Sequence, residues 1–78
     1  MIGQLMLDFE QLPSLFPELT VWGARTVMHS FVISYNTNCK DQGYRASYRV
    51  IGEHTIDLGR FDNKEAAIAA CVLKAKPQ

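Results

Sequence analysis

The sequence predicts an α+β fold: a three-stranded antiparallel sheet with room for a fourth strand, a C-terminal helix packed on one face, and short helical turns at the N-terminus. Two stretches that alternate apolar and polar residues, TVMHSFVISYN and YRASYRVI, point to the strands. The helix follows from the acidic capping pattern and small apolar residues of DNKEAAIAACVLKA. A chain of 78 residues has room for one domain only. We divide it into an irregular segment (1–25), an antiparallel meander (26–61) and a helix (62–75).

In the first segment, Pro13 and Pro17 exclude a long helix, because proline lacks an N–H and pushes its predecessor out of the α region. Asp8 is expected to cap a single turn through Gln11, which Pro13 ends, and a second turn is expected over Ser14 to Leu19. The apolar Leu12, Leu15, Phe16 and Leu19 are expected to pack across a face or edge of the sheet. The alternative is a segment that docks on a partner.

Along the first strand, from Thr26, the alternation sets His29, Phe31, Ile33 and Tyr35 against Met28, Ser30, Val32 and Ser34, as in a central strand. The polar run NTNCKDQG then reads as a hairpin loop and a candidate contact loop. In the second strand Tyr44, Ala46, Tyr48 and Val50 share one face, while Arg45, Ser47, Arg49 and Ile51 share the other. After a turn at Gly52, Glu53 and His54, a third strand over Thr55 to Arg60 directs Ile56 and Leu58 to the core. Gly59 suits a bulge, which leaves the side taken by Arg60 open.

For the helix, Asp62 is the expected cap, with Glu65 completing a capping box and Phe61 stapling onto Ala66. Ala67, Ala70, Cys71 and Lys74 form a stripe beside Ile68, Val72 and Ala75, small enough for close approach to a sheet. Pro77 marks the end.

Charge limits the classes of partner. Eight basic and eight acidic groups give zero net charge, which removes the global field that draws most nucleic-acid binders to phosphate. The charge is uneven: Asp8, Glu10 and Glu18 outweigh Arg25 in residues 1–30, and the basic groups lead in the remainder. There is no basic leader and no apolar run long enough for a membrane span, so no membrane association is expected. With two cysteines, the expectation is a reduced, cytoplasmic protein, a Cys39–Cys71 bridge being the lesser alternative. A core this small often gains stability from a partner subunit, so monomer and homodimer both stay open.

His29, Cys39, His54 and Cys71 are separated by nine to sixteen residues, unlike the close ligand pairs of zinc sites. Phosphate-cradling glycine loops and paired-histidine metalloprotease motifs are also missing from the sequence. We therefore expect no metal, no cofactor and no enzymatic activity.

Binding has positive support. Arg45 and Arg49 share a strand face that Arg60 and Lys64 extend, with Lys40 in the loop before them, and such guanidinium rows take carboxylates or phosphates. Tyr35 is a further candidate anchor. The competing explanation is a solvated face whose charges prevent edge pairing.

The stretch YRASYRVIGEHTIDLGRFDNKEAAIAACVLKAKPQ joins an aromatic-basic strand, a turn, L-G-x-F-D and an acidic, alanine-rich helix. It resembles the strand-strand-helix core of the Apetala-type (ethylene-responsive-factor) DNA-binding domain and related phage integrase arm modules. That resemblance implies a sheet laid in the DNA major groove, with Arg45 and Arg49 as contacts. In size and format the chain also resembles the short inhibitors of phages and mobile elements, anti-CRISPR proteins above all, which implies a protein partner within a nucleic-acid-handling complex. A DNA reader should gather its basic groups clear of Glu53 and Asp57, whereas a protein binder should interleave them with carboxylates.

Overall fold

The alternating stretches do form strands, and two more precede them. The computed structural model describes residues 7–75. Strands β1 (Glu10–Leu12), β2 (Leu19–Arg25), β3 (His29–Asn36), β4 (Tyr44–Val50) and β5 (Ile56–Phe61) make one antiparallel sheet in chain order, followed by helix α1 (Lys64–Ala75). The sheet therefore has five strands where three or four were expected.

The two added strands lie in the segment expected to be irregular with helical turns. Both prolines fall in the connection between β1 and β2, where no ladder N–H is needed, so they bound strands instead of ending helical turns. Leu19 N–H closes that connection on the Phe16 carbonyl at 3.1 Å, and Ser14 Oγ accepts from Phe16 N–H at 3.2 Å. The expectation that its apolar residues pack on the sheet is overturned at the turn itself. Leu15 is 93% exposed and Phe16 57%.

β3 is the central strand, and Phe31 and Ile33 are fully buried beneath the helix. They form the core with Ala46, Ala67 and Cys71, bordered by Leu7, Phe9, Trp22, Tyr44 and Ile68. Small residues at Ala46, Ala67 and Cys71 let α1 sit close over β3, β4 and β5. Burial raises the Cys71 thiol to about pKa 11.

The helix begins at Lys64, two residues into the expected 62–75, and its cap differs. Asn63 Oδ1 accepts from Ala66 N–H at 2.8 Å, so Asn63 takes the N-cap role expected of Asp62. Asp62 is held instead by Arg60, whose Nη1 donates to it at 2.8 Å. Pro77, the expected stop, lies outside the described residues.

Two glycine positions shape the sheet. Gly59 has φ 107° and a bulge beside it: Ala46 pairs with Gly59 but Ser47 with Asp57, leaving Leu58 as the extra residue. This puts Arg60 directly across from Arg45. Gly43, at φ 63°, ends the β3–β4 connection, where a Cβ would stand 2.5 Å from the Phe61 carbonyl oxygen.

Candidate functional site

With α1 on one side, the other side of the sheet carries no element among the described residues. Cross-strand partners share a face, so the register gives the layout of this open side in rows. One row runs Leu12, Val21, Ser34, Arg45, Arg60, and the next runs Glu10, Gly23, Val32, Ser47, Asp57. A third holds Arg25, Ser30 and Arg49. Small side chains occupy the middle and charged ones the flanks. A 480 Å³ depression on the β1–β3 side is bordered by Asp8, Glu10, Leu12, Gly23, Arg25 and Val32.

Of the residues singled out from the sequence, Arg45, Arg49 and Arg60 meet on this face. Lys40 opens the 3-10 turn Lys40–Gln42 in the β3–β4 connection. Tyr35 and Lys64 lie on the helix side. The Tyr35 ring stacks on Tyr44 with centroids 4.5 Å apart, and Lys64 Nζ sits 4.4 Å from the centroid of the Trp22 ring. They form a separate cluster in which the lysine is already engaged by an aromatic face.

Two of the three arginines are also engaged. Arg45 Nη2 donates to Asp57 Oδ2 at 2.7 Å. The Asp57 carboxyl is held below its ordinary range chiefly by the Gly59 N–H at 3.0 Å; desolvation opposes this, and the charge and hydrogen bond of Arg45 add to the lowering. Arg60 donates Nε to the Asp41 carbonyl at 2.8 Å and Nη1 to Asp62. Arg49 and Arg25 have no ion-pair partner among the described residues. Positive charge is thus interleaved with carboxylates, and Asp8 and Glu10 add negative charge at the far side of the same face.

Sequence reading did not pick out Asp8, Glu10 or Arg25 as members of this face. The signal was the alternation of Val21, Gly23 and Arg25, masked by the weak strand propensity of Gly23 and Ala24. Among the described residues, no group of three or more histidines, cysteines and carboxylates is placed to hold a metal ion, and no helix is long and apolar enough to cross a membrane. No protein family, curated protein or solved structure matches the chain.

Proposed function

We propose that this chain is a non-catalytic protein-binding module and that its contact surface is the open sheet face. The observation that carries the reading is the pairing of Arg45 with Asp57 and of Arg60 with Asp62. A guanidinium committed to a carboxylate has fewer donors for phosphate, and the carboxylate repels a phosphate backbone. A mixed-sign, small-residue surface suits a protein partner, which supplies both signs and selects for their arrangement. The likeness in format to phage-encoded inhibitors directs the search for that partner to nucleic-acid-handling complexes, with the chain acting by occupying a surface.

DNA binding through the same face is the second reading, favoured by Arg25 and Arg49, whose charges are unpaired among the described residues. The test is affinity capture with and without nuclease, beside duplex-DNA binding across a salt series. A protein complex that survives nuclease supports the first reading. Salt-sensitive duplex binding with no captured protein replaces it with the second. Arg49→Glu combined with Arg45→Ala should abolish capture while changing stability by no more than about 1 kcal/mol, because both side chains are exposed. Undiminished capture by that variant would remove the open face as the contact surface.

A further inference from the structure

The groups on the open face that lack an ion partner within the chain, among the described residues, are two carboxylates and two guanidiniums. Glu10 opens β1 and Asp8 precedes it beside the same depression, Arg25 ends β2, and Arg49 lies on β4. Arg25 stands on β2 beside the acidic groups, around the same depression, while Arg49 lies on β4 beyond Ser30, so the acidic β1 and Arg49 take opposite sides of the face. A surface with opposite charges on its two sides complements itself under a twofold rotation.

We infer that the open face pairs with the open face of a second copy of this chain. A twofold axis parallel to the strands, between β2 and β3, lays β1 of each copy over β4 of the other and β2 over β3. Continuing the β1–β2 register two residues back from Glu10 sets Asp8 against Arg49 of the second copy and Glu10 beside the same arginine. Near the axis Val32 faces the Leu12 side chain, which lies over Gly23 where a Cβ would otherwise stand, and the contact is apolar. Arg25 falls against Ser30, which avoids stacking like charges. The arrangement is an aligned sheet sandwich, about 10 Å between sheets.

Size and net charge agree with this pairing. Four strands about 4.8 Å apart and roughly six residues long give about 800 Å² of flat sheet in the pair, and side-chain relief adds to it. That approaches the ~1,000 Å² of a specific interface, so the dimer is weak and its population depends on concentration. A net charge of zero imposes no overall repulsion between copies.

The inference rests on reading the open face as a protein-binding surface, and it names one occupant. Sedimentation velocity across a concentration series should show twice the chain mass emerging, and less of it as salt rises. Arg49→Glu alone and Asp8→Arg alone should each shift the species to monomer. The double variant Asp8→Arg, Arg49→Glu should restore the dimer, because the reversed pair forms again at both symmetry-related positions. Amide exchange of the wild-type chain provides a measurement independent of variant folding: protection along Val21 to Arg25 and Ser30 to Ser34 should grow with concentration.

A chain that stays monomeric throughout the series overturns the inference, as does a dimer that neither single reversal disturbs. A monomer that still captures another protein through Arg45 and Arg49 removes the self-pairing and leaves the binding reading intact. A charge-dependent dimer that captures nothing supports the self-pairing and removes only a separate protein partner.

Discussion

At the scale of single residues, the fold depends most on places where a side chain has no alternative position. Gly43 combines a left-handed backbone with the Phe61 carbonyl at contact distance, so Gly43→Ala must move backbone as well as adopt a disfavoured φ. A loss of about 1–3 kcal/mol is expected in urea titration. Gly52→Ala is the control: φ is 84° but nothing lies within 4 Å, so only the conformational penalty of roughly 1–2 kcal/mol applies. Equal losses at the two positions would show that crowding at Gly43 is not the cause. Cys71 contributes a pH dependence of known sign. Its folded pKa is raised by burial to about 11, above the ordinary thiol value of 9.0, so the protonated fold is fully stabilised below pH 9 and loses stability as pH rises towards 11. Stability measured over that window should fall for the wild-type chain, and Cys71→Ala should lack this component of the slope.

At the scale of elements, the helix start tests how local hydrogen bonding selects one cap among neighbouring candidates. Asp62 and Asn63 are both good capping residues, and Arg60 claims the first, which leaves the second for the Ala66 N–H. Asn63→Ala should therefore cost about 1 kcal/mol in thermal or urea unfolding, and Asp62→Ala less than about 0.5 kcal/mol. The reverse order would return the cap to Asp62. This was illegible in the sequence because the choice depends on the arginine two residues upstream and on which face of β5 it occupies. β3, β4, β5 and the helix were legible, since their periodicities are strong and their ends carry turn residues. β1 and β2 were not. A three-residue strand has too little alternation to register, and Gly23 with Ala24 interrupts the β-branched pattern that marks the other strands.

For the whole molecule, the partial legibility of the candidate face has one physical origin. Alternation placed Arg45 and Arg49 together, because that relation lies within a single strand. The Arg45–Asp57 contact joins two strands across a bulged register, and a shift of one residue would have sent Asp57 to the helix side. The acidic flank needed β1, which the sequence did not reveal. The charge asymmetry between the first thirty residues and the rest was visible from composition, and the structure converts it into a gradient across one face of the sheet.

The chain order of the sheet also determines how the protein comes into being. Each strand pairs with its immediate predecessor, so the sheet can grow one hairpin at a time as the polypeptide is synthesised, with short loops to close at every step. The cover for Phe31 and Ile33 is supplied by α1, which follows all five strands. Until those twelve residues leave the ribosome, the nascent sheet exposes apolar side chains on the face the helix will cover. Termination upstream of Lys64 would release an assembled but uncovered sheet, a species prone to self-aggregation and a ready substrate for proteolysis.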